Sequence, residues 1–121
     1  MQLGDAFLMP IPGQAMDHLW FVISDPTLHG GAFIIANVTT DFSRAGKECP
    51  LTPADHSWIK KNCYMNFADA LEITETRAIA LSALVGKYVT MQPCLTAGSL
   101  QKIVEAAKAS RAIPVRYKKY F

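Results

Sequence analysis

Two imidazoles, two lysines and two threonines are the groups of this 121-residue chain best suited to moving protons on a charged substrate. His18 and His56 are of the one side-chain type whose ordinary pKa, about 6.5, lets it act as base or acid near neutrality. Lys60 or Lys61 would neutralise a phosphate, and the hydroxyls of Thr39 and Thr40 would orient it. The densest group is Asp55-His56-Ser57 followed by Lys60-Lys61-Asn62. Titratable clusters of this kind mark a site when they line a cleft and are a solvated loop otherwise. The candidate catalytic residues are therefore His18, His56 and Lys60, and the candidate substrate-binding residues are Thr39, Thr40, Lys61, Asn62 and Tyr64. Cys63 lies near His56 in sequence, and a thiolate nucleophile would need such a base in space. Ordinary reduced thiols are the alternative for Cys49, Cys63 and Cys94, whose odd number and wide spacing fit neither a disulfide framework nor a paired zinc motif.

The elements that must position these groups begin with two hydrophobic runs, His18 to Ser24 and Ala32 to Thr40. Each is strand-length and rich in β-branched and aromatic residues, and Asp25-Pro26 with Gly30-Gly31 between them predicts a turn joining antiparallel neighbours. Such a pair delivers His18 at one strand end and Thr39, Thr40 and Asp41 at another. The same threonines also suit a strand end with no further role. Ala6 to Met9, closed by Pro10, is a third strand. Asp41 to Asp55 reads as a long loop, and Thr52-Pro53 resembles a helix cap followed by proline, predicting a helical turn over about 56–60. In that turn His56 and Lys60 would share a face.

Tyr64 to Ile73 fits a strand with a bend near Ala68, Ala78 to Val85 is ambiguous between helix and strand, and Lys87 to Met91 looks extended. The clearest helix starts at Thr96 and places Leu100, Ile103, Val104 and Ala107 on one face. Beyond Glu105 no acidic residue follows, while Lys108, Arg111, Arg116, Lys118 and Lys119 interleave with Tyr117, Tyr120 and Phe121. This strip would either track a phosphate backbone or form a solvated tail or edge strand. Trp20 and Trp58 read as core or interface residues, although an exposed Trp58 beside Lys60 would suit base stacking.

Length and a half-hydrophobic composition predict one domain over residues 1–121. No run approaches the roughly 18 apolar residues of a membrane span, and the amino terminus has no signal-peptide pattern, so a soluble, cytoplasmic protein is expected. A net charge of +2 alone identifies no nucleic-acid binder. There is no phosphate-binding Gly-rich loop with Lys-Ser/Thr, no Gly-x-Ser-x-Gly elbow and no His-Glu-x-x-His helix. Nothing in the spacing of the histidines requires a metal, and no cofactor is expected.

Gly4-Asp5 before a strand, His18-Leu-Trp-Phe-Val-Ile-Ser24, the strand ending in Thr39-Thr40, the segment Asn66-Phe-Ala-Asp69-Ala-Leu-Glu-Ile73 and a late amphipathic helix together resemble the MazF/PemK-like toxins of toxin–antitoxin modules. The order and spacing cover most of the chain. The resemblance implies a mainly β, α+β fold: a small SH3-like β-barrel with a C-terminal amphipathic helix. It also implies a homodimer, a cognate antitoxin partner, and metal-independent cleavage of single-stranded RNA by 2′-hydroxyl attack. His18 stands where the family's strand begins with a catalytic arginine, which is a departure. Thr39-Thr40 match the end of the family's next strand, at its base-and-phosphate site, and Asp69 to Ile73 match its later strand only loosely. A non-catalytic barrel that binds nucleic acid or a protein partner is the rival reading.

Overall fold

The computed structural model describes residues 1–41 and 48–121. Among the described residues, six strands form one antiparallel sheet: β1 (Ala6–Pro10), β2 (Asp17–Val22), β3 (Phe33–Thr39), β4 (Pro50–Leu51), β5 (Cys63–Ile73) and β6 (Thr90–Gln92). Their spatial order is β4-β5-β3-β2-β1-β6. The sheet curls into a half-barrel, and two helices, α1 (Glu75–Ala83) and α2 (Ala97–Ala109), complete the mainly β, α+β fold expected from the sequence. No helix among the described residues is long and apolar enough to cross a membrane.

Alternation along the strands divides the core between two faces. Leu19, Phe21, Ile23, Ile34 and Ala36 join Met65, Phe67 and Ile103 in the larger cluster, whereas Phe7, Trp20, Val22, Phe33 and Ile35 pack with Leu81 of α1 in the smaller. The two hydrophobic runs read from the sequence are thus buried on both sides. Asp25 caps the 3-10 turn Pro26–Leu28 that joins them, its carboxylate accepting from Thr27 N–H at 2.9 Å.

The bend expected near Ala68 is a bulge. Ile35 pairs with Leu71 and Asn37 with Asn66, so β5 carries additional residues opposite this short stretch of β3. The ambiguous segment Ala78 to Val85 is helical as far as Ala83, within a helix that starts at Glu75 and is capped by the Thr74 hydroxyl, which accepts from Arg77 N–H at 3.3 Å. The extended stretch expected over Lys87 to Met91 begins later, at Thr90.

Helix α2 follows the sequence closely. Thr96 caps it, Ile103 and Ala107 are buried, and Leu100 and Val104 are partly buried beside them. Its other end explains the basic carboxyl-terminal strip, which is a 3-10 segment (Val115–Tyr120) rather than a strand or a loose tail. The Lys118 ammonium donates to the carbonyls of Ala107, Lys108 and Ser110 at 3.0, 2.8 and 2.7 Å, closing the helix terminus where a cation is favoured. Tyr117 is buried under the Arg116 guanidinium, 4.6 Å from its ring centre. Tyr120 donates to Glu72 at 2.6 Å, a bond that pushes its phenol up to about 12.

Candidate active site

Antiparallel pairing brings the start of β2, the end of β3 and the start of β5 to one end of the sheet. Trp20 lies opposite Asn37, and continuing that register sets His18 opposite Thr39, which itself pairs with Tyr64. A cavity of about 510 Å³ opens there. Val38, Ile59 and Cys63 give it a buried apolar floor, while Asp17, His18, Thr39, Thr40, Lys60 and Lys61 supply polar groups and Met16 and Trp58 apolar walls.

Five residues singled out from the sequence therefore meet: His18, Thr39, Thr40, Lys60 and Lys61. His18 is half-buried, and among the described residues neither of its ring nitrogens has a hydrogen-bond partner, leaving both for a substrate. The Thr39 hydroxyl accepts from Asp41 N–H at 3.0 Å, which fixes the rotamer and leaves its own proton to donate. Lys60 is exposed and its ammonium reaches Ser57 O at 2.9 Å, which folds the side chain over its own turn.

Asn62 and Tyr64 do not line the cavity. His56 does not either. It is buried, its ring 5.7 Å from that of Phe21, with Nε2 donating to Pro93 O at 2.7 Å and Nδ1 accepting from Trp58 N–H at 3.0 Å. Those two bonds fix a neutral tautomer and occupy both nitrogens.

The helical turn expected over 56–60 is absent. Asp55 accepts from Thr52 N–H at 2.9 Å and the Thr52 hydroxyl from Ala54 N–H at 3.2 Å, so the cap-like signal Thr52-Pro53 belongs to a side-chain-bonded turn. His56 and Lys60 consequently do not share a helix face. Asp55 also accepts from Ser99 at 2.8 Å and Lys102 at 2.9 Å on α2. Burial works against its charge, but the bonds from Thr52, Lys102 and Ser99 outweigh it and hold the carboxyl below its ordinary range.

Cys63 reaches the cavity floor as a thiol. Burial pushes it up to about 11, and Cys49 likewise, so neither is a thiolate at neutral pH. Among the described residues no three His, Cys, Asp or Glu side chains gather as a metal site. Two wall residues escaped the sequence reading: Asp17 and Met16. The only sequence signal for Asp17 is its place one residue before His18, at the same strand end.

An antiparallel half-barrel with a cationic rim around an apolar cleft at the strand ends is the class this fold and cavity define. Among solved structures, the chain is similar to an endoribonuclease in complex with its cognate antitoxin from Mycobacterial species, with a TM-score of 0.57 and 12% identity over 94% of this chain and 95% of that one. The likeness is of fold. Comparison with protein-family models and with curated proteins gives no match.

Proposed function

We propose that this chain is a toxin-like endoribonuclease that cleaves single-stranded RNA at the strand-end cavity by 2′-hydroxyl attack. The observation that carries this reading is the meeting of His18, Thr39, Thr40, Lys60 and Lys61, from three separate segments, around one cavity. The fold shared with an endoribonuclease and the MazF/PemK-like order of motifs support it.

Cleavage requires a base for the 2′-hydroxyl proton, an acid for the departing 5′-oxygen and cations for the charge that develops on phosphorus. The 2′-oxygen bonds to phosphorus as the bond to the 5′-oxygen breaks, leaving a 2′,3′-cyclic phosphate and a 5′-hydroxyl. His18 makes one proton transfer, and Asp17, its neighbour on the cavity wall, is the group available for the other. Lys60 and Lys61 face the phosphate charge, and Thr39 and Thr40 orient its oxygens. His56 is a positioning residue: its bonds to Trp58 and Pro93 hold the turn that carries Trp58 and Lys60. No metal takes part in this scheme. A cognate antitoxin would cover the same cationic rim, and the protein would act in the cytoplasm as a homodimer.

Incubating the protein with a long RNA in chelator and mapping the product ends tests the proposal. Cyclic phosphate ends are expected. Activity that vanishes in chelator and returns with zinc or magnesium would overturn the mechanism. The replacement of the family's arginine by His18 favours the second reading, a barrel that binds nucleic acid or a protein without cutting. Intact RNA that nevertheless shifts on a gel would establish it.

A further inference from the structure

A second cavity, of about 310 Å³, shares no residue with the strand-end site. The bulge in β5 makes room for it. Phe67 to Ala70 lie between the pairs Asn37–Asn66 and Ile35–Leu71, against Ala36 alone, so Ala68, Asp69 and Ala70 step out of the ladder and line the cavity. Ile11, Pro12 and Leu71 give it an apolar wall beside Trp20, and among the described residues its charged groups are Asp69 and Arg116. The Arg116 guanidinium lies over the Tyr117 ring, 4.6 Å from its centre, and donates through Nη2 to the Tyr117 hydroxyl at 3.2 Å. Tyr117 is itself buried, so the guanidinium rests on a fixed support with further N–H groups to donate. It forms no ion pair among the described residues. Asp69 accepts from Asn66 Nδ2 at 2.9 Å, and a carboxylate has about four lone-pair sites, so a further donor can join the partners it already has. One cavity thus presents two opposite charges that do not neutralise each other.

We infer that this second cavity binds a free α-amino acid with an apolar side chain, its carboxylate on Arg116, its ammonium on Asp69 and its side chain against Ile11, Pro12 and Leu71. A zwitterion answers both charges at once, whereas an anion meets repulsion from Asp69 and a cation from Arg116. The guanidinium fork matches a carboxylate with two parallel hydrogen bonds. The volume stands at the small end of ligand pockets, roughly 300–1,000 Å³, so the occupant is one small molecule. The site is separate from the strand-end cavity and stands whether or not the chain cuts RNA.

The test titrates leucine into the full chain, by calorimetry and by nitrogen-15 NMR of the Trp20 indole. Trp20 lines the cavity and its indole N–H is bonded to Met9 O at 2.9 Å, so an occupant shifts that signal. The chain has two tryptophans, and the signal that Trp58→Phe retains is the Trp20 one. Leucinamide lacks the carboxylate and 4-methylpentanoate lacks the ammonium. Each is expected to bind about ten- to hundredfold more weakly than leucine, the loss that accompanies a hydrogen-bonded charge. Arg116→Gln should weaken leucine by the same factor and leave leucinamide binding unchanged, because the variant and the analogue remove the two ends of one contact. The two analogues act on the unsubstituted chain, so the comparison between them stands even if a variant folds poorly.

A Trp20 signal unmoved up to the solubility limit of leucine would overturn the site. Equal binding of leucine and 4-methylpentanoate would overturn the amino acid and leave a simple carboxylate as the ligand. Leucine affinity unchanged in a folded Arg116→Gln would place any bound leucine elsewhere and likewise overturn the assignment. Leucine bound with both analogue losses, in a protein that leaves RNA intact, would uphold this site while the nuclease reading failed.

Discussion

The segment Thr52–Asn62 contains two halves, both with polar side chains, that have opposite roles. In the first, the side chains of Asp55 and His56 are engaged: Asp55 is bonded to Thr52, Ser99 and Lys102, and His56 to Trp58 and Pro93. In the second, Trp58, Lys60 and Lys61 border the cavity, and the contact of Lys60 with Ser57 O is local and exposed. What sets their roles is how far their polar groups are satisfied. A buried polar group whose partners are all within the protein holds the fold, and one whose partners are still to come is available to a substrate.

That contrast has consequences that can be broken one at a time. The largest stability effect lies outside the segment, on the helix that anchors its first half. Ile103 is fully buried on α2, and Ile103→Ala should cost about 2–5 kcal/mol in chemical denaturation. An unchanged denaturant midpoint would remove α2 from the core. Next, His56→Ala should cost about 1–3 kcal/mol for each backbone partner it strands and, by loosening the turn that carries Trp58 and Lys60, lower cleavage per folded molecule far less than His18→Ala does. Full stability combined with lost cleavage would instead place His56 in the chemistry.

Asp55 should give a smaller, pH-dependent effect. Its folded pKa is depressed, so its stabilisation is fully present above the unfolded value near 3.9 and is lost as pH falls through the lower folded value. Asp55→Asn should cost roughly 1–2 kcal/mol at pH 7 and flatten the acid limb of a stability-against-pH profile. A profile identical to the parent's would show that the bonds to α2 contribute nothing. The smallest change is expected from the outward half, where Lys60→Ala should leave the melting temperature unmoved and lower the salt dependence of RNA binding by about one counterion. A shift in melting temperature would make Lys60 structural.

Much of the fold was legible because its signals are local. The runs in β2 and β3 are apolar on both faces, and each really is covered on both faces; Thr96 and the spacing of Leu100, Ile103, Val104 and Ala107 define α2 without outside help. The antiparallel pair was legible too, but the sequence set His18 at one strand end and the threonines at another, and only the register brings them together. Long-range bonds were not legible. His56 meets Pro93 across 37 residues and Asp55 meets Ser99 across 44, and nothing at either position announces the other. The same blindness affected the basic carboxyl-terminal strip, where Lys118 turns back to cap α2 instead of facing a phosphate backbone. Thr52-Pro53 misled for a different reason, since a helix cap and a side-chain-bonded turn use the same residues. Of the loop expected over Asp41 to Asp55, Phe42–Lys47 lie outside the described residues, and Pro50–Leu51 pairs with β5 as β4.

The central claim is that the strand-end cavity is where RNA is cut and that His18 moves a proton there. The most direct test is the initial rate of cleavage of one single-stranded RNA by His18→Ala, measured in chelator at the same folded concentration as the parent. The account predicts a fall of about 10²- to 10⁴-fold with an unchanged melting temperature. A variant that folds normally and cleaves at the parental rate would contradict it.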